Sequence, residues 1–303
     1  MRSAVLDVGS NSLLLVVAEQ RDGNWVPVHE TTAVTGLGTG VKNSGLIERD
    51  RMAATLLATR RAFDEAKEFG ASCRAYGTMA LRIAKNASDF LDAAQRQGTP
   101  VKVISGEQEA LLGVRSVARD PLFSGFETIS VIDTGGHSTE VTTARQSEGE
   151  ISVVASRSVP IGTLGLIERC NWPESPSAQD IFSAAMMVDD QLKDSEDVNE
   201  TGTAIALGAT PSVLVSIRDA VAVWDASKIH GKCLSFEEVG RAVALLCPMT
   251  IAERAAMVGM EPGREGTIHA GALILERFMN FLHAEECLVS TRGWRFALLD
   301  SEI

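Results

Sequence analysis

One short pattern occurs twice in this chain and limits the folds that are open to it. In "AVLDVGSNSLLLVV" (residues 4–17) and "VIDTGGHSTEV" (residues 131–141), an apolar run ends at an aspartate, and a glycine turn with hydroxyl residues follows. Apolar runs on both sides of a glycine turn are typical of β-hairpins. Two copies in matching contexts predict one building unit used twice, and therefore two related domains.

The elements expected around each hairpin also repeat. Three strands come first in each half, and helices alternate with strands after them. A chain of 303 residues is long enough for about two domains, and we place them at residues 1–125 and 126–303. The expected strands are 4–8, 12–18, 25–33, 72–78, 101–104, 128–136, 139–144, 151–158 and 287–290, and the expected helices are 51–69, 79–86, 88–97, 106–118, 177–193, one after Ser235, and 267–284.

Composition excludes several classes of protein. The chain is 45% hydrophobic and 22% charged, which is ordinary globular usage. A net charge of −12 argues against a protein that binds nucleic acid by neutralising many phosphates. No apolar run approaches the roughly 20 residues of a membrane span, and the chain opens on a strand pattern, so we expect a cytoplasmic protein. The five cysteines lack metal-site spacing and are expected to be reduced thiols.

The two glycine turns carry the residues suited to phosphate chemistry. At Gly9, and at the pair formed by Gly135 and Gly136, backbone N–H groups can approach an anion closely because no Cβ intervenes. Aspartates at the strand ends suit a hydrated magnesium ion held near phosphates, and Glu140 on the return strand could face the same ion. A tight hairpin with solvated turn residues is the alternative for either turn. The remaining candidate residues are Asp7, Ser10, Asn11, Ser12, Asp133, Ser138 and Thr139.

Six segments of the chain occur in the same order as the motifs of a known protein family, which makes the match specific. They are "DVGSNS" (7–12), "GTMALRIAKN" (77–86), "VISGEQEA" (103–110), "DTGGHSTEV" (133–141), "WDASKIHGKCL" (224–234) and "GREGTIHAGALIL" (263–275). On these runs the chain resembles the exopolyphosphatase/guanosine pentaphosphate phosphohydrolase (Ppx/GppA) family of the actin-like ATPase superfamily. The resemblance covers nearly the whole chain. It implies an α/β fold of two actin-like (ribonuclease-H-like) domains with an interdomain cleft.

The resemblance also implies roles for individual residues. Glu109 matches the family's general base, which activates the water that attacks a terminal phosphorus. Arg82 matches its phosphate-contacting arginine, since a guanidinium grips phosphate oxygens bidentately. Magnesium is the implied cofactor, with Asp7, Asp133 and Glu140 as its ligands. The segment at 205–214 fits an adenosine-binding turn, the family's glycine segment, or a plain strand–turn–helix junction equally well.

The implied function is hydrolysis of terminal phosphate from inorganic polyphosphate. Three alternatives stay open: a guanosine pentaphosphate 5′-phosphohydrolase, a weakly active or inactive phosphate or alarmone sensor, and an actin-like kinase. The sensor is motivated by departures from the family pattern, in which His137 replaces a third glycine and could crowd a phosphate or donate to it. Other departures are Gly36, Thr39, Gly266 and the run Gly293–Phe296. A homodimer is expected, and neither nucleic acid nor membrane is an expected partner.

Overall fold

A five-stranded sheet organises the first unit of the chain, which comprises Met1–Leu112 and the C-terminal segment that begins at Trp294. The computed structural model describes residues 1–147, 150–193 and 201–300. The strand order is β3-β2-β1-β4-β5; β1–β2–β3 are an antiparallel meander, and β4 and β5 are parallel to β1. The strands are β1 (Arg2–Val8), β2 (Ser12–Arg21), β3 (Asn24–Val34), β4 (Ser72–Gly77) and β5 (Val101–Val103).

Both faces of this sheet are covered, which explains the continuous apolar run of β1. Leu6 packs in a cluster with helix residues such as Phe90, and its neighbour Val5 packs in a second cluster with Trp294. Successive strand residues point to opposite faces, so a doubly buried strand must be apolar throughout. The helices that begin in this unit are α1 (Val41–Ser44), α2 (Arg49–Glu68), α3 (Met79–Ile83), α4 (Ala87–Arg96) and α5 (Gly106–Ala118).

A six-stranded sheet organises the second unit, Gly113–Gly293. Its order is β10-β11-β9-β6-β7-β8, with an antiparallel β6–β7–β8 meander and with β9 parallel to both β6 and β11. The strands are β6 (Thr128–Thr134), β7 (Thr139–Ser147), β8 (Glu150–Val159), β9 (Thr203–Leu207), β10 (Cys233–Ser235) and β11 (Glu286–Ser290). The helices are α6 (Thr163–Cys170), α7 (Ala178–Lys193), α8 (Ala209–Arg218), α9 (Ala226–Ile229), α10 (Phe236–Leu246), α11 (Ile251–Ala255) and α12 (Ile268–Phe281).

The two sheets share one topology. In each, a three-stranded meander is followed by parallel strands added beside the first strand of the meander. This repetition confirms the expected α/β fold of two actin-like (ribonuclease-H-like) domains. The second sheet adds one antiparallel edge strand, β10.

The unit boundary differs from the one expected at residue 125. Val114, Val117 and Phe123 already belong to the core of the second unit, because they pack with strand residues such as Ile129. The boundary therefore falls inside α5. The end of the chain returns to the first sheet, where Trp294 is buried.

Most elements expected from the sequence are confirmed. The capping box at Ser235 and Glu238 forms as predicted and begins α10. The short helices α1, α6, α9 and α11 and the 3-10 helix Trp294–Leu298 were not expected. Among the described residues, no helix combines the length and the apolar character needed to cross a membrane. All five cysteines are free thiols.

Candidate active site

The two glycine turns close in the same way. Gly9 donates its backbone N–H to the carbonyl oxygen of Ser12 at 3.0 Å, and Gly135 donates to that of Ser138 at 2.9 Å. A Cβ on Gly9 would lie 2.8 Å from the Ser12 oxygen, and one on Gly135 would lie 3.1 Å from the Ser138 oxygen. The first turn therefore needs a residue without a side chain at this position, and the second turn leaves little room for one. The repeat seen in the sequence is a repeat in structure.

The first hairpin is fastened to α3. The hydroxyl oxygen of Ser10 accepts a hydrogen bond from the backbone N–H of Ala80 at 3.1 Å. Ser10, Asn11 and Ser12 are all buried, as is Asp7 at the end of β1. The expected alternative of a solvated turn does not describe this hairpin, because its polar residues are buried.

Arg82 and Glu109 form a buried ion pair beside this hairpin's helix. Nη1 of Arg82 lies 2.9 Å from Oε2 of Glu109, and it also donates to the carbonyl oxygen of Ile104 at 2.8 Å. Only 9% of Glu109 is exposed. The structure therefore brings together the two residues that the sequence assigned to base catalysis and phosphate binding.

The "SGEQEA" run positions Glu109 through a capping box. Ser105 donates its N–H to Oε1 of Gln108 at 2.9 Å, and the N–H of Gln108 donates to Oγ of Ser105 at 3.1 Å. Such a reciprocal pair begins a helix, so Glu109 lies in the first turn of α5. Burial raises the pKa of Glu109, and the Arg82 guanidinium opposes that rise. Glu107, in the same turn, is exposed.

The second hairpin rests on the N-terminus of α6. The first three N–H groups of the helix, at residues 163–165, donate to the carbonyl oxygens of Gly135 and Gly136 at 2.8–3.0 Å. These N–H groups have no partner within a helix, and here the turn supplies the acceptors. A Cβ on Gly162 would lie 2.5 Å from the carbonyl carbon of Gly136. Gly162 therefore allows the turn to approach the helix.

Two carboxylates of the second unit face each other across the hairpin. Asp133 and Glu140 are directly paired in the β6–β7 ladder, so their side chains share one face of the sheet. Glu140 accepts a hydrogen bond from the Ser158 hydroxyl at 2.6 Å. A Cβ on Gly208, whose φ is +90°, would lie 3.3 Å from Oδ1 of Asp133, so the turn before α8 adjoins this carboxylate.

This carboxylate pair fits a hard divalent cation. Like charges directly opposite in a ladder repel each other, and carboxylate oxygens are the ligands that magnesium prefers. Within the residues that the structure describes, no three His, Cys, Asp or Glu side chains are grouped to hold a metal ion. The donor set within one unit is therefore two carboxylates, Asp133 and Glu140.

The model of the Ppx/GppA phosphatase family matches residues 16–303. The chain belongs to this family.

Relatives of the Ppx/GppA family match over almost their whole length. The chain is 31% identical over 294 residues to Exopolyphosphatase 2 of Mycobacterium tuberculosis, covering 91% of this chain and 89% of that protein. It is 30% identical over 314 residues to Exopolyphosphatase 1 of Mycobacterium bovis, covering 100% and 89%. The crystal structure of the Aquifex aeolicus Ppx/GppA family member superimposes with a TM-score of 0.80 at 28% identity, covering 99% of this chain and 96% of that one.

One residue expected to bind phosphate in this Ppx/GppA protein has a hydroxyl that contacts the backbone. The hydroxyl of Thr139 donates to the carbonyl oxygen of Ile161 at 2.8 Å, and the residue is fully buried. Its O–H is thus committed to the backbone that leads into α6. A phosphate-binding role for Thr139 stays a prediction, and its hydroxyl has a backbone acceptor in this structure.

His137, which stands where the family has a third glycine, lies against α6. The residue is fully buried, and its Nε2 lies 3.7 Å from Oε2 of Glu168 on α6. The imidazole is therefore enclosed and lies close to a carboxylate of α6. The departure from three glycines leaves the turn itself intact.

Two further glycines lie near the site, and of these Gly162 had no role assigned from the sequence. Gly162 allows the second hairpin to pack against the N-terminus of α6, and Gly208 adjoins Asp133. The signal for Gly162 was a glycine between a strand pattern and a short apolar run in "VPIGTLGLI". At 203–218 the structure shows a strand, a turn and a helix, while an adenosine-binding role for this turn stays a prediction.

Proposed function

We propose that this protein is an exopolyphosphatase that removes terminal phosphate from inorganic polyphosphate. The observation that carries the proposal is the buried carboxylate of Glu109, held 2.9 Å from Arg82 beside the anchored first hairpin. The names of the relatives from Mycobacterium tuberculosis and Mycobacterium bovis support the substrate class.

In the proposed reaction, water attacks the terminal phosphorus and Glu109 takes its proton. A bond forms from the water oxygen to phosphorus, and the bond from phosphorus to the bridging oxygen breaks. The products are orthophosphate and a chain shorter by one phosphate, whose new terminal oxygen keeps the bonding electrons. Glu109 then releases its proton to solvent.

Backbone and side-chain donors hold the phosphates in this proposal. Arg82 binds the terminal phosphate, and the two hairpins contribute N–H groups and hydroxyls. Thr139 is left out, since its hydroxyl is already committed. The proposed phosphate-binding residues are Gly9, Ser10, Asn11, Ser12, Arg82, Gly135, Gly136 and Ser138.

Magnesium is the proposed cofactor. Asp133 and Glu140 fit a hard cation, and Asp7 is a further buried oxygen donor on the first hairpin. When bound, the ion supplies positive charge that neutralises phosphate oxygens.

Arg82 has two roles that compete in this mechanism. Before substrate binds, its Nη1 contacts the base and the Ile104 carbonyl oxygen. A phosphate that recruits the guanidinium would weaken its bond to Glu109 and leave the carboxylate more basic. Binding of substrate and activation of the base are therefore coupled through one side chain.

The test is orthophosphate release with magnesium from long polyphosphate, tripolyphosphate, guanosine pentaphosphate and ATP. Preference for polyphosphate supports the proposal, and preference for guanosine pentaphosphate would support the sister activity. Release from none of these substrates, with tripolyphosphate still raising the melting temperature, would identify a sensor. A cytoplasmic location and a homodimer stay predictions.

A further inference from the structure

A glycine-rich loop lies directly against the first hairpin. This loop, residues 35–40, donates backbone hydrogen bonds to the hairpin's carbonyl oxygens. Thr35 and Gly36 donate to Asn11 at 3.1 and 2.9 Å, and Gly38 donates to Ser10 at 2.7 Å. The loop is therefore a direct neighbour of two proposed phosphate-binding residues, Ser10 and Asn11.

Arg51 rests on this loop in a niche that Gly36 creates. A Cβ at position 36 would lie 2.5 Å from Nη1 of Arg51 and 2.9 Å from Oγ1 of Thr39. Gly36 also has φ of +60°, a conformation that favours glycine. The missing side chain thus makes room for a guanidinium that enters from the first turn of α2.

Two nitrogens of the Arg51 guanidinium group make polar contacts with the protein. Nη1 donates to the carbonyl oxygen of Thr35 at 3.3 Å, and Nε lies 3.4 Å from the Glu48 carboxylate. These are its polar contacts within the described residues. The side chain is 38% exposed, and a guanidinium carries five N–H donors. Donors therefore remain for a ligand from solvent.

The nearby charges favour an anion of high charge density. Glu48 is the opposing charge, but its side chain is 62% exposed, where an ion pair contributes little. Lys85 is a further cation beside the connection from α1 to α2, since a Cβ on Gly45 would lie 3.6 Å from its Nζ. Multiply charged phosphate can displace a solvated carboxylate from an arginine, because the charge-assisted hydrogen bonds are bidentate.

We infer that Arg51 binds an inner phosphate of the polyphosphate chain, next to the terminal phosphate that Arg82 holds. The inference rests on the proposed function, and it assigns Arg51 to substrate affinity and not to the chemical step. Arg82 is committed to the phosphate beside Glu109, whereas Arg51 lies on the glycine-rich loop. Two cations on different elements suit two phosphates of a linear polyanion.

The first test compares R51Q with R61Q, which removes an exposed arginine from the same helix. Loss of a charge-assisted hydrogen bond predicts a rise in KM for long polyphosphate of about tenfold or more in R51Q. The effect of R51Q on kcat is expected to be smaller. R51K keeps the positive charge but lacks the bidentate guanidinium, so it should recover part of the affinity. R61Q should match the wild type. A KM in R51Q equal to that of R61Q would overturn the inference.

A binding measurement separates failure of this inference from failure of the proposed function. Tripolyphosphate is titrated calorimetrically into E109Q and into the double variant E109Q/R51Q. Weaker binding by the double variant, by about tenfold, supports the subsite. Equal binding by both variants would overturn the inference alone. No binding by E109Q, together with no turnover by the wild type, would overturn both.

Discussion

At the residue scale, the pairing of Arg82 with Glu109 is the central feature of the first unit. Both residues could be singled out from the sequence by the family resemblance. Their contact could not, because they lie 27 positions apart on different helices, α3 and α5. Only the folded chain brings the guanidinium to 2.9 Å from the carboxylate, and in the proposed mechanism this contact links phosphate binding to the state of the base.

Removing the guanidinium should change the pH dependence of the reaction. Burial raises the pKa of Glu109 and Arg82 opposes that rise, so R82Q should raise the pKa further. Since the base acts only when ionised, the acidic limb of the rate profile should move to higher pH. The maximal rate should also fall by about a hundredfold, as when one preorganised donor to the transition state is lost.

The measurement is the rate of phosphate release against pH for the wild type, R82Q and R61Q. R61Q removes the same charge from an exposed position of α2 and should retain the wild-type profile. An acidic limb in R82Q at the wild-type pH would show that Arg82 does not act on the base.

The acceptor of the Thr139 hydroxyl was missed for the same reason as the ion pair. Its hydroxyl was assigned from local sequence, as one of several near a glycine turn. Its partner, the Ile161 carbonyl, lies 22 positions later in the chain. Side chains whose role depends on a distant partner are the part of the site that sequence patterns leave open.

At the element scale, each hairpin is predictable from the sequence, but the helix contacts that hold it in place are not. The turns follow from glycine at a close backbone approach, which is a local requirement visible in the sequence. The packing of the second hairpin on α6 depends on three N–H groups of the helix, which donate hydrogen bonds to two carbonyl oxygens of the turn. The helix itself was not expected, because its eight residues include Gly165 and give only a short periodic pattern.

Filling the space between the second turn and α6 should damage both stability and activity. In G162A the new methyl group would meet the backbone of Gly136 and His137 at 2.5 Å, and neither can yield without moving the turn. Overpacking of this kind costs about 1–3 kcal/mol of unfolding free energy. Displacement of the turn should reduce phosphate release at least about tenfold, as expected when phosphate-positioning groups shift.

G125A is the matched control, because nothing lies within 4 Å of a Cβ at Gly125. Urea denaturation and phosphate release are measured on both variants. If G162A were as stable and as active as G125A, the close packing of the second hairpin on α6 would not be needed for stability or activity.

At the scale of the whole molecule, contacts within the second unit join the segment where the chain enters the unit to the segment where the chain leaves it. Asp120 follows α5, and its Oδ2 lies 3.1 Å from both Nε2 of His230 and Nη1 of Arg292. Ser116 donates its hydroxyl hydrogen bond to the carbonyl oxygen of Gly293 at 3.0 Å. The unit boundary could not be placed from composition, since these ties join segments more than a hundred residues apart.

The Asp120 cluster should make the stability of the protein depend on acidic pH. Burial alone would raise the pKa of Asp120, but the hydrogen bond from His230 and the nearby Leu122 N–H and Arg292 guanidinium hold it below its usual value. A carboxylate with a lowered folded-state pKa stabilises the fold above its ordinary pKa of about 4. That stabilisation is lost as pH falls through the lowered value.

The unfolding free energy of the wild type and of D120N is measured in urea between neutral pH and the acidic range. D120N should be less stable than the wild type at neutral pH by about 1–3 kcal/mol, since it leaves buried donors without a charged acceptor. The difference should shrink as pH falls below about 4. A difference that stays constant with pH would show that the charge of Asp120 does not contribute.

The central claim, that Glu109 activates the attacking water, is tested most directly by phosphate release from polyphosphate in E109Q and E107Q. Both variants remove one carboxylate from the first turn of α5, and only Glu107 is exposed. The account predicts that E109Q loses about a hundredfold to ten-thousandfold in kcat while it still binds tripolyphosphate, and that E107Q keeps wild-type turnover. Normal turnover in E109Q would contradict the assignment of the base.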